Sequence, residues 1–151
     1  MSTTEPFIRR LVIGFAELLR DAGHGSWKIL PGQTYTAAET AIWVFAGPDA
    51  PDRHIVLAPW TISDNPDDAM SLEGLQVRTR WSGSNPLDVI DLDDDIFSTL
   101  HNRTNFTLST GVRIAQCLRR SSASLGQDNG RRWSWSSNYY IDAHRPAPNR
   151  I

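Results

Sequence analysis

The sequence predicts an α+β fold: one mixed, mostly antiparallel sheet with two helices packed on one face, in a single domain. Three observations carry this. Two stretches, 6–22 and 86–100, repeat apolar residues at spacings of three and four, as a helix with one buried stripe does. Others, above all 73–81 and 131–141, alternate apolar and polar residues with the period of two of a half-buried strand. The chain of 151 residues has no internal repeat and no linker long enough to divide it. At that length it can bury about 70% of the surface its unfolded form exposes.

Taken in order, the first helix is expected from Pro6 to Ala22, with Phe7, Leu11, Val12, Phe15 and Leu19 on its stripe and Arg9, Glu17 and Asp21 off it. Thr3 or Thr4 can cap its start, Pro6 suits its first turn, and Gly23 can close it in a left-handed conformation. Turn signals dominate from His24 to Glu39, with a short extended segment expected at Trp27 to Leu30. Thr40 to Ala46 and His54 to Ile62 read as strands buried on both faces, separated by a proline-bearing loop from Gly47 to Arg53. Ser63 to Ser71, with Asn65-Pro66 and Asp67-Asp68, reads as an acidic surface loop.

The central strand then turns Leu75, Val77, Thr79 and Trp81 to the core and Gln76, Arg78 and Arg80 to the opposite face. Asn85 as N-cap, Pro86 behind it and Asp88 in the first turn open the second helix. There Val89, Leu92, Ile96, Phe97 and Leu100 form the apolar stripe, opposite Asp91, Asp94 and Asp95. His101 to Thr110 reads as a loop holding a short strand at Phe106 to Leu108, and Gly111 to Arg120 as a strand. Ser121 to Gly130 reads as a loop closed by the turn signal Asp128-Asn129-Gly130. The last strand, Arg131 to Ile141, sets Trp133, Trp135, Tyr139 and Ile141 against Arg132, Ser134, Ser136 and Asn138. Residues 1–144 are thus expected to form the domain, and 145–151, with Pro146 and Pro148, a C-terminal extended arm.

Composition narrows the function. A net charge of −2 argues against a dedicated nucleic-acid binder. No apolar run approaches the length of about 18 residues that spans a membrane. The N-terminus lacks the basic and apolar regions of a signal peptide, so a soluble protein not exported by that route is expected. A single cysteine, Cys117, permits no disulfide within the chain. Lys28 is its one lysine beside fourteen arginines, and there are six tryptophans. Arginine and tryptophan concentrate where protein surfaces meet. Stacking of single-stranded bases on Trp133 and Trp135 is the competing idea, but the flanking charges build no basic groove.

Sites for chemistry are sparse. Asp91 and Asp95 share a helix face and could meet one divalent cation, yet no glycine-containing calcium loop frames them. The run from Asp64 to Asp68 carries a proline and no downstream glutamate at the right spacing. His24, His54, His101 and His144 are scattered, without zinc-ligand spacing. No Gly-x-Ser-x-Gly elbow occurs, and Gly23-His24-Gly25 is too short for a phosphate cradle. No catalytic residue, metal or cofactor is therefore expected, with a small hydrolase using Cys117 or an acid-bound metal as a remote alternative.

Four segments carry a resemblance: Pro31-Gly-Gln-Thr-Tyr-Thr-Ala-Ala-Glu-Thr-Ala-Ile, Gly74-Leu-Gln-Val-Arg-Thr-Arg, the helix from Asp91 ending Phe97-Ser-Thr-Leu-His101, and Arg131-Arg-Trp-Ser-Trp-Ser-Ser-Asn-Tyr-Tyr-Ile. Together they resemble the minor capsid or tail terminator family of long-tailed bacteriophages, over residues 5–142. The resemblance implies a structural, non-enzymatic protein at the head-tail junction of the virion, made in the host bacterial cytoplasm. It implies a ring homo-oligomer, usually a hexamer, that caps the tail tube protein and meets the head-side connector. DNA passes through the lumen without specific binding, and no membrane is involved. The alternative is a head-closure or other head-to-tail joining protein. In such a ring, Gln76, Arg78, Arg80, Arg131 and Arg132 would offer basic and polar surface, and Asp91, Asp94 and Asp95 acidic surface, for contacts between subunits.

Overall fold

The structure, a computed structural model, describes residues 5–28 and 33–149. The chain runs α1 (Phe7–Asp21), β1 (Ala41–Val44), β2 (His54–Asp64), β3 (Met70–Ser82), α2 (Leu87–Leu100), β4 (Arg103–Thr107), β5 (Arg113–Gln127) and β6 (Arg132–His144). The strands form one six-stranded sheet in the order β1-β2-β3-β6-β5-β4. β1 lies parallel to β2 and every other neighbouring pair is antiparallel. The fold is the expected α+β arrangement.

The period-two pattern sorts the sheet into two faces. Ile55 and Leu57 of β2, Leu75 and Val77 of β3, Cys117 of β5, and Tyr139 and Ile141 of β6 join one buried cluster. Leu11, Phe15 and Leu19 of α1 and Leu92, Ile96 and Leu100 of α2 complete it, so both helices cover the same face. Fully burying each large apolar side chain contributes about 1.5 to 3 kcal/mol. No helix among the described residues is long and apolar enough to cross a membrane.

The helix ends follow local chemistry. Gly23 has φ +84°, and the Gly23 and His24 N–H groups donate back to the Arg20 and Leu19 carbonyls, closing α1 as expected. Asn85 Oδ1 accepts the Leu87 N–H at 3.1 Å, so the expected cap side chain opens α2. Thr3 and Thr4 lie outside the described residues. So do Ile29 and Leu30 of the expected extended segment, while Ser26 forms an isolated parallel bridge to Ala41.

The strands depart from expectation in length. β2 reaches Asp64 and β3 starts at Met70, so the acidic loop shrinks to 65–69. Only the first four residues of β2 are buried on both faces; Trp60 and Thr61 are exposed. The stretch expected as a loop from Ser121 is strand as far as Gln127, paired with β6 from Ser121↔Asn138 to Gln127↔Trp133. Its residues are mostly exposed on both sides, so no burial pattern marks them as strand. The short strand near Phe106 lies at 103–107, with Asn102 and Asn105 in the left-handed region on either side of its start.

Both margins of the sheet are irregular. β1 and β2 are joined by residues 45–53, shorter than the dozen or so that parallel neighbours ordinarily need. Phe45 (φ +66°) turns the chain at once, and Ala50-Pro51 is cis. At the other margin β4 pairs only with residues 113–117 of β5, leaving the outer flank of β5 beyond Arg119 without a neighbouring strand among the described residues. Register shifts at Arg119/Ser121 and Ser124/Gly126 interrupt this stretch.

Candidate functional site

The second face of the sheet is built by residues of the other parity, aligned by the register. His54, Arg80, Ser134 and Gly126 form one row, and Val56, Arg78, Ser136 and Ala123 the next. Ala58, Gln76, Asn138 and Ser121 follow, then Trp60, Gly74, Tyr140 and Leu118. Residues of β2, β3, β5 and β6 together line two clefts of about 310 and 350 Å³ on this side, so the sheet curls around it. No described helix covers it.

Each end is shaped differently. At the open end Trp60 lies across Gly74, where a Cβ would sit 2.2 Å from the indole, and meets Tyr140 edge to face at 6.3 Å. In the middle Asn138 Nδ2 donates to Ser121 Oγ at 2.9 Å. At the closed end Arg80, 9% exposed, donates from Nε to the Asp52 carbonyl and from Nη2 to the Asp49 and Pro51 carbonyls. Arg132 beside it bridges Asp49 at 2.7 Å, Asp52 at 3.3 Å and Asp128 at 2.9 Å. Two arginines thereby tie the short β1–β2 connection over the sheet.

The structure brings Gln76, Arg78, Arg80 and Arg132 onto this face and sets Arg131, exposed with φ +60°, in the adjoining turn. Arg80 and Arg132 are engaged within the subunit. Arg78 is half-buried with no hydrogen bond or ion pair among the described residues. Asp91, Asp94 and Asp95 are exposed on α2, on the opposite layer.

Two polar residues that sequence reasoning did not single out are structurally central. His54 is buried in the row of Arg80, with Nδ1 unpartnered, and burial together with Arg80, Arg78 and Arg132 holds its pKa down to about 3. Its parity with Val56 and Trp60 was the available signal. Asp93 points inward from α2, accepting from Ser137 Oγ at 2.7 Å and Arg119 Nη1 at 3.2 Å. Burial pushes its carboxyl up, opposed by those two partners. Its position on the apolar stripe, beside Val89 and Ile96, was the signal there.

As for chemistry, no group of His, Cys, Asp or Glu among the described residues is placed to hold a metal ion. Cys117 is fully buried in the core, and burial pushes its thiol up to about 12, so it stays protonated at neutral pH.

The chain is thus an α+β domain with one face of its sheet sealed by helices and the other uncovered and bearing arginines. A family model described as bacteriophage tail terminator protein matches residues 32–145. The chain belongs to that family and is a structural protein of the virion. A chain in the solved virion of a native gene transfer agent particle has the same fold, with a TM-score of 0.57 and 13% identity over 85% of each chain. No curated protein matches.

Proposed function

We propose that this protein is the ring-forming subunit at the neck of the virion. Several copies, six in the simplest reading, cap the last ring of the tail tube protein and present their other side to the head-side connector, while DNA passes through the lumen. The observation that carries this is the pair of unbalanced charged surfaces on opposite layers of one subunit. Gln76 and Arg78, the latter in no ion pair among the described residues, face one way, and Asp91, Asp94 and Asp95, likewise in no ion pair, face the other. A closed ring needs such a contact, in which one patch meets a different patch on the next copy. Arg131 at the rim adds basic surface, and Arg80 and Arg132 act by holding the 49–52 loop that frames it. The segment from Arg145 acts as an arm rooted on the domain: its N–H donates to the Ala69 carbonyl at 2.6 Å and its guanidinium reaches Glu73. The protein is made in the cytoplasm of the host bacterium and works in the particle, without a membrane or cofactor.

The test is the measured mass of the purified chain, alone and mixed with its tail tube protein, together with a cryo-EM map of the virion neck. A ring at the head-proximal end of the tube is expected. A chain that stays monomeric both alone and in the mixture and has no density at the neck defeats the reading.

A further inference from the structure

One cleft on the curled face holds three arginines at or beside it, of which Arg80 and Arg132 are tied to the 49–52 loop and Asp128 while Arg78 is in no ion pair among the described residues. His54, Arg78, Arg80 and Ser134 line it with Leu125 and Gly126, around about 350 Å³. Arg80 is fixed by the loop carbonyls, so its charge cannot swing away. Arg78 beside it has no partner among the described residues. His54 is 5% exposed and its Nδ1 makes no hydrogen bond. A buried ring nitrogen left without a partner is destabilising unless something enters to meet it.

The opposite imbalance lies on α2, where Asp91, Asp94 and Asp95 are exposed and in no ion pair among the described residues. We propose that the His54–Arg78–Arg80 cleft is a carboxylate-binding site, filled in the assembled ring by an aspartate of the α2 stripe of a second copy. This rests on the ring reading given above. A carboxylate there accepts from the Arg78 guanidinium, the unpartnered cation of the cleft, with the neutral, buried imidazole of His54 beside it.

The surroundings select this occupant over nucleic acid. Asp128 lines the cleft and Asp49, with its side chain 87% exposed, lies beside it, both paired to Arg132, so an extended phosphate backbone would run against these carboxylates, whereas one aspartate side chain needs only the Arg78 corner. Leu125, 55% exposed, gives the same rim an apolar contact suited to a protein surface. The second copy is favoured because cleft and stripe lie on opposite layers of one chain, which is what a head-to-tail contact uses.

The test uses the full-length chain under conditions in which it assembles. Arg78→Glu is expected to weaken subunit association at least tenfold by sedimentation, with the monomer still folded by circular dichroism. At least one of Asp91→Arg, Asp94→Arg and Asp95→Arg should do the same, and that exchange combined with Arg78→Glu should restore association to within a few fold. Should Arg78→Glu fail to fold, the unchanged protein serves: the His54 imidazole, followed by NMR, should titrate at higher pH in the ring than in the dilute monomer. Rings formed normally by Arg78→Glu, or no rescue by any of the three exchanges, or an unshifted His54, overturn the cleft and leave the ring standing. Loss of tail-tube attachment with subunit association intact assigns the cleft to the tube and also overturns it. A chain that never assembles overturns both.

Discussion

His54 and Asp93 are buried titratable side chains with measurable consequences for the isolated chain. His54 meets Arg78 and Arg80 from β3 and Arg132 from β6, with Asp49 and Asp128 beyond them, and it is neutral in the folded state. Its folded pKa of about 3 lies below the unfolded 6.5, so the unfolded chain binds more protons between those values. Stability therefore falls as pH drops from 6.5 toward 3, by up to about 4 kcal/mol. His54→Gln should flatten this slope in urea midpoints measured against pH, and the difference between the two proteins isolates the residue from Glu73 and Asp93, whose raised pKa values act with the opposite sign. Asp93→Ala should cost about 2 to 4 kcal/mol in the same assay, because Ser137 and Arg119 lose their common acceptor. Asp93→Asn, which keeps an acceptor for Ser137, should cost less. The sequence displayed the five aspartates of this region but not their division of labour: Asp93 is set apart from Asp91, Asp94 and Asp95 by helix phase, and burial of a carboxylate becomes intelligible only once Arg119 from a distant strand is seen to reach it.

Elements were legible where one of their faces is buried. The helices and the strands β3 and β6 were readable because core packing imposes a period on their residues. The outer half of β5 was not: with both faces in solvent, serines and a glycine carry no alternation, and only pairing with β6 reveals the strand. The parallel pairing of β1 was likewise hidden, since residues 45–53 are too few to suggest a return crossover and depend on Arg80 and Arg132 to hold them. Within α1, Gly14 marks close approach to the β4–β5 turn, where a Cβ would lie 2.7 Å from Leu108 Cβ. Although alanine has the higher helix propensity, by about 1 kcal/mol, Gly14→Ala should lower stability by about 1 to 3 kcal/mol in thermal unfolding, because α1 must back away from the turn.

At the scale of the molecule, the candidate surface was half readable. Gln76, Arg78 and Arg80 were placed on one face by parity alone. The structure adds that Arg80 and Arg132 work as internal ties, which no spacing rule exposes, since Asp49 and Asp52 come from a loop far away in sequence. The arm can be examined in the same molecule. A chain ending at His144 removes the Arg145 guanidinium from Glu73, which is fully buried and then keeps Thr61 as its remaining side-chain partner among the bonds described. Chemical denaturation should show a loss of about 1 to 3 kcal/mol. Contacts between exposed charges are screened by salt, so association of the full chain should weaken as ionic strength rises from about 0.1 to 0.5 M, read by sedimentation.

The outer flank of β5 beyond Arg119 has no neighbouring strand among the described residues. A bare row of main-chain donors and acceptors is a template onto which any extended peptide can zip. Here the two bulges at Arg119/Ser121 and Ser124/Gly126 throw that row out of phase, so an intruding strand finds only a few bonds in step before the rhythm breaks. Pairing of this edge with the same edge of another copy is disfavoured by the same interruption.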